Sequence, residues 1–298
     1  MKSKQVIYIA LAADVVITIT KFIGSGISGS TAMLSEGIHS FIDCLSQLLL
    51  IWGLYKSQQK PDSRRPFGYG RELYFWAFIV SLMVFVAGGC ISFYKGLQQI
   101  KHPALSGNGT WSYVVLGVAF VFTAVSAYSS LRLFNKQRGE IPFWEAIRES
   151  KDPVTFIILL SDVGDLLGLP VAFVGIWLGH TLHNAYYDGA AALVIGLILI
   201  LISMVLVRES WSLLMGEAPN ERTMKKIVAL AEKDEAVAKV KQHLSTYLAP
   251  EDVVLQLITV FKDDLDTRQI TEAIERISKE IKQKFPRIKR IFIEPVAP

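Results

Sequence analysis

The sequence predicts an α-helical membrane protein, six transmembrane helices followed by a cytoplasmic α+β domain of ferredoxin-like type. Three observations carry that expectation. Only 19% of the 298 residues are charged while 51% are apolar, against about a quarter charged in an ordinary globular chain. The charges are segregated: residues 209–298 hold 15 Lys/Arg and 15 Asp/Glu, whereas residues 1–208 hold 16 and 12. Finally, residues 1–208 contain six apolar stretches, each near the roughly 20 residues that a helix needs to cross a bilayer. The expected division is therefore a membrane domain at 1–208 and a polar domain at 209–298.

The six stretches are about 6–27, 33–55, 74–99, 112–133, 154–178 and 188–208. The first opens straight after Met-Lys-Ser-Lys, lacks a small-residue cleavage site and contains Asp14 and Lys21. It reads as a span rather than a removable signal peptide. Basic residues set the orientation. Lys2 and Lys4 precede the first span, Lys56, Lys60, Arg64, Arg65 and Arg71 join the second to the third, and Arg132, Lys136, Arg138, Arg148 and Lys151 join the fourth to the fifth. The opposite loops hold one clear lysine, Lys101. Both termini are expected in the cytoplasm of a multi-pass protein. The lack of an Arg/Ser-rich presequence favours a bacterial inner membrane over an organelle.

The tail alternates in a different rhythm. Residues 219–233 suit a helix, 237–247 and 253–262 two strands around an Ala249-Pro-Glu-Asp turn, 267–284 an amphipathic helix, and 288–294 a closing strand after Pro286. The order αββαβ fits two helices on one face of a sheet. A unit this small has a limited core and gains stability by oligomerising, so a homodimer is expected.

Several function classes are excluded. Cys44 and Cys90 lie in apolar runs without metal-ligand spacing, which leaves them a packing role. The formal charge of +4 is accounted for by membrane topology, so no nucleic-acid partner is expected.

The chemistry lies in charges inside the membrane, each costing at least about 2.5 kcal/mol at the centre of a span. The second span reads Leu34-Ser-Glu-Gly-Ile-His-Ser-Phe-Ile-Asp43, with Glu36, His39 and Asp43 at i, i+3 and i+7 on one helical face. The fifth reads Ile158-Leu-Leu-Ser-Asp-Val-Gly-Asp165, with Asp162 and Asp165 at i and i+3. An imidazole and carboxylates converging from two helices are a ligand set for a divalent first-row metal. A proton relay, or hydrogen bonding within the bundle, are the alternatives these residues leave open.

These motifs resemble the cation diffusion facilitator family, metal/proton antiporters with six helices and a ferredoxin-like tail. The resemblance covers almost the whole chain. It rests on Gly29-Ser-Thr-Ala-Met-Leu-Ser-Glu-Gly-Ile-His-Ser-Phe-Ile-Asp43, on Arg65-Pro-Phe-Gly-Tyr-Gly-Arg-Glu-Leu-Tyr-Phe-Trp76, and on Glu149-Ser-Lys-Asp-Pro153. The last two are most similar to the branch that includes mitochondrial zinc transporters of animals. The resemblance maps the family's transport site onto His39, Asp43 and Asp162, and its fourth position onto Ile158, which cannot bind metal. Asp165, Glu36 or a water then completes the set, giving the metal ligands His39, Asp43, Asp162 and Asp165. Asp14 reads as structural or proton-handling. His180 and His183 read as solvated loop residues. In the second loop Asp62 remains where relatives bind a cation, but Arg65 replaces the usual histidine, and the tail offers only His243 and Glu294, so no further metal sites are expected there.

The resulting expectation is a transporter and not an enzyme, without a cofactor. It exchanges a cytoplasmic divalent cation, Zn²⁺ first, for protons, because imidazole and carboxylate bind metal only when deprotonated. Mn²⁺ or Fe²⁺ transport, a transport-deficient metal sensor or scaffold, and an intramembrane metal hydrolase are the alternatives.

Overall fold

The structure, a computed structural model, describes residues 2–28, 31–103, 109–139 and 142–297. The chain divides into two compact units, residues 1–55 with 75–211, and residues 56–74 with 212–298. The segment joining the second and third spans thus belongs with the tail, an association its composition does not announce.

The first unit is a helical bundle of α1 (Lys2–Ser28), α2 (Thr31–Ser57), a third span, α5 (Gly109–Arg138), α6 (Phe143–Glu149), α7 (Pro153–Thr181) and α8 (Tyr186–Met215). The third span runs through α3 (Glu72–Met83), a π-helical stretch Val84–Cys90, and α4 (Ile91–Lys101). Among the described residues five helices are long and apolar enough to cross a membrane, with mean hydropathy from 1.3 to 3.1. The 27 residues of α1 are long enough for a sixth, about 40 Å at 1.5 Å per residue.

Burial in this unit does not follow the apolar-in, polar-out division of a soluble domain. Val121, Val125, Trp177, Leu197 and Leu201 are exposed, while His39, Ser81, Ser130, Asp162 and Ser203 are buried. Lipid is as apolar as leucine, so nothing drives apolar side chains inward, and the polar groups must find one another. The start of α7 is closely enclosed, with every residue from Pro153 to Leu160 buried. Its start is fixed by Asp152, which accepts hydrogen bonds from the Val154 N–H at 3.2 Å and the Thr155 hydroxyl at 2.7 Å, and by Pro153 in the first turn. Ile17 of α1, Leu116 and Ala119 of α5, and Leu169, Ala172 and Ile176 of α7 pack as one cluster. The third and sixth spans approach through glycines. A Cβ on Gly96 would fall 2.6 Å from the Leu193 backbone, and one on Gly196 2.5 Å from that of Phe93. Small residues permit such backbone contact.

In the second unit α9 (Glu221–Ala231) and α10 (Thr267–Lys284) accompany β1 (Val237–Ala249), β2 (Asp252–Phe261) and β3 (Ile288–Val296). The sheet order is β1-β2-β3, antiparallel between the first two and parallel between the last two. The parallel pair requires a crossover, which α10 supplies. α10 begins at a capping box of Asp266 and Gln269, and its buried face, Ala273, Ile277 and Ile281, joins Met224 and Ile227 of α9 and Leu255 and Leu257 of β2 in the core. Leu255→Ala would cost about 2–5 kcal/mol here by loss of transfer energy and cavity formation. The segment 56–74 is built around Asp62, which accepts from the N–H groups of Arg64 and Arg65 and from the Tyr69 hydroxyl at 2.6 Å. The Tyr69 bond and the two amides hold its carboxyl below the usual carboxylate range.

Candidate metal centre

α2 and α7 bring a cluster together in the first unit. His39, Asp43 and Asp165 each offer one donor atom, all within 4.8 Å of one another. His39 Nε2 lies 3.0 Å from Asp165 Oδ1 and 3.6 Å from Asp43 Oδ2. His39 and Asp43 share a face of α2 one turn apart, and Asp165 reaches them from α7. The three side chains are 9%, 12% and 26% exposed respectively, a largely enclosed group. The π-helical stretch closes over the imidazole: a Cβ on Gly88 would sit 3.4 Å from His39 Cε1, so a larger residue at Gly88 would press on the ring. Pro170, inside α7, cannot donate to the carbonyl one turn earlier. That leaves the carbonyl of Leu166, next to Asp165, without its usual helical partner.

Asp162, the fourth residue that the sequence singles out, is placed differently. It is buried and accepts hydrogen bonds from the hydroxyls of Ser126, at 3.1 and 3.2 Å, and Ser130, at 3.1 Å. Both serines lie on α5, so Asp162 ties α7 to its neighbour, outside the cluster that Asp165 completes. Ile158, one turn before it, is buried. The side chain of Glu36, an expected candidate for the fourth ligand, falls outside those described.

Asp14 and Lys21 share a face of α1, and each reaches across to α2. Gln47 donates to Asp14, Lys21 donates to Ser40 Oγ at 2.8 Å, and Thr18 meets Cys44 between them. Elsewhere, His180 Nδ1 donates to the Ile176 carbonyl at 2.9 Å, His183 is exposed in a turn, and Glu294 accepts from Gln256 at 2.9 Å. Sequence reasoning missed the serines of α5. The available signal was Thr123, Ser126 and Ser130 at i, i+3 and i+7, all three buried, a hydroxyl stripe on an otherwise apolar span.

Comparison with known proteins bears on the same region. Residues 7–215 match the model of the cation efflux transmembrane domain. The human proton-coupled zinc antiporter SLC30A9, mitochondrial, is 26% identical over 97% of this chain, which spans 58% of that protein's length. The manganese efflux system protein MneP of Bacillus subtilis is 22% identical, covering 98% of this chain and 95% of its own. The magnetosome protein MamM of Magnetospirillum gryphiswaldense is 24% identical over 99% of this chain and 88% of its own.

Proposed function

The chain belongs to the cation efflux family, and from that premise we propose that it is a proton-coupled secondary transporter exporting a divalent metal cation, Zn²⁺ first, from the cytoplasm. The observation that carries the reading is the convergence of His39, Asp43 and Asp165 from two spans. Imidazole with two carboxylates suits Zn²⁺ and also admits harder ions. Asp162 is the ligand of a second arrangement, in which it leaves Ser126 and Ser130 and turns toward the cluster. Each ligand must lose its proton to hold metal, so metal and protons exclude one another at a single site. Alternating exposure of that site to the two sides then converts proton entry into metal exit, and movement of whole spans supplies the exposure.

The side chains need only bind, release and exchange protons, without covalent or redox chemistry. Basic loops support an orientation with both termini in the cytoplasm, and a bacterial inner membrane is the proposed location. The protein works as a homodimer in this proposal. A manganese transporter is the second reading, favoured by two carboxylates in a cluster with a single imidazole. The test is flux in proteoliposomes, with the metal followed by an indicator and lumenal protons by a pH dye. Zn²⁺ movement accompanied by opposite proton movement is expected. Metal movement without protons would refute the coupling, Mn²⁺ moving in preference to Zn²⁺ would select the second reading, and no movement would leave a metal-binding sensor.

A further inference from the structure

We propose that the second unit holds a binding site for the phosphate headgroup of an anionic membrane lipid, lying between segment 56–74 and the sheet. A cavity of about 450 Å³ opens there, lined by Pro66, Phe67, Leu248 and Val254 together with Arg65, Arg71 and Glu72. The two arginines are not equivalent. Arg65 is satisfied internally, with its guanidinium 2.5 Å from Glu72 and stacked 4.6 Å above the Tyr69 ring. Arg71 is exposed and makes no ion pair or hydrogen bond among the described residues. Its guanidinium lies beside Gly216, where a Cβ would come within 3.2 Å of it and 2.8 Å of Thr246 Oγ1.

With Glu72 already paired to Arg65, a largely apolar hollow that keeps one uncommitted cation in its lining fits a ligand with an anionic head and a hydrocarbon body. The chain's connectivity selects a lipid over a soluble compound. Segment 56–74 leaves α2 at Ser57 and enters α3 at Glu72, so both of its ends continue directly into spans. It carries five Lys/Arg against two carboxylates. Clusters of four to eight basic residues beside a span recognise anionic lipids, each worth about 1 kcal/mol near a charged surface. The segment is also docked rather than loose. A Cβ on Gly70 would fall 2.5 Å from the Leu248 carbonyl, and Arg290 lies 5.6 Å over the Phe67 ring. The phosphate meets Arg71, and the glycerol and first acyl carbons rest on Phe67, Leu248 and Val254.

The test is native mass spectrometry of the full-length protein in neutral detergent, titrated with dioleoylphosphatidylglycerol or dioleoylphosphatidylcholine. Phosphatidylglycerol should be retained at least about tenfold better than phosphatidylcholine. Arg71→Gln should lose about tenfold of that retention, the scale of one charge-assisted contact, and Arg71→Lys should keep most of it. Val254→Trp fills the cavity without changing charge and should also weaken retention, which decides the matter if the Gln variant misfolds. Equal retention of the two lipids would overturn the proposal, as would wild-type retention in Arg71→Gln with only a lowered Tm, which would leave Arg71 a purely structural role at the end of α8. Displacement of the bound lipid by an equal concentration of glycerol 3-phosphate would overturn the lipid assignment in favour of a soluble phosphate.

Discussion

Asp165→Asn separates the geometric reading of the site from the one that spacing alone suggests. The amide keeps the size of the carboxylate and an oxygen that accepts from the His39 N–H now 3.0 Å away, so the α2–α7 contact survives. What is lost is one negative charge among three donors gathered within 4.8 Å. Altering partners that merely orient metal ligands costs 10–100-fold in affinity. Deleting one of three direct donors should cost at least the upper end, about 100-fold or 2.8 kcal/mol at 1.4 kcal/mol per tenfold. In proteoliposomes at sub-saturating Zn²⁺ the variant's flux should fall by that factor, with a changed dependence on pH. Adding Ile158→His restores an imidazole one turn before Asp162 and should recover part of the flux. Wild-type flux and pH profile in Asp165→Asn would refute the reasoning, remove Asp165 from the mechanism and leave Glu36 or a water as the fourth ligand.

His39→Ala or Asp43→Ala should abolish flux while the protein remains folded and inserted, as judged by gel filtration; near-normal flux in either would exclude the proposed site. Ser130→Ala removes a hydroxyl from the buried Asp162 carboxylate and should lower stability by about 1–3 kcal/mol, read as a fall in the thermal midpoint in detergent. Native mass spectrometry should show a dimer, and a monomer alone would count against the proposed assembly. In the tail, burial pushes the Asp234 carboxyl up, but the Arg276 guanidinium and the Ala236 N–H outweigh it and hold it below its ordinary value. A depressed carboxylate stabilises the fold above its unfolded pKa of about 3.9 and stops doing so as pH falls through the folded value. Asp234→Asn should therefore speed hydrogen exchange at the start of β1 at pH 7, and the difference from wild type should vanish in acid.

Much of the architecture is legible because it depends on long, simple patterns. Twenty apolar residues in a row have few options in water, and the six spans follow. The limits of α10 follow from Asp266 at one end and Pro286 beyond the other, both local signals. The π-helical stretch Val84–Cys90 is different. Its sequence, Val-Phe-Val-Ala-Gly-Gly-Cys, has the composition of any apolar helix, and the change in hydrogen bonding carries no residue signature. The partnership of segment 56–74 with the tail is likewise a property of two surfaces, the Arg290–Phe67 stacking among them. No pattern within either sequence announces it.

The candidate site shows where periodicity stops. It places Asp162 and Asp165 on one face of α7, three residues apart and about 4.5 Å along the axis. At that spacing either carboxylate can turn toward α2, and nothing in α7 chooses between them. The choice is made by Ser126 and Ser130, which hold Asp162 from a different helix and leave Asp165 to meet His39. A buried carboxylate costs several kcal/mol unless hydrogen-bonded, so the two hydroxyls are strong enough to fix its orientation. They are also weak enough, at about 1.5–3 kcal/mol for a bond to a charged group, to yield to a dication. The absent ligand at Ile158 and the serines facing Asp162 are therefore one feature of the proposed mechanism. A site with one donor fewer can recruit Asp162 when metal is present and return it to α5 when protons replace the metal.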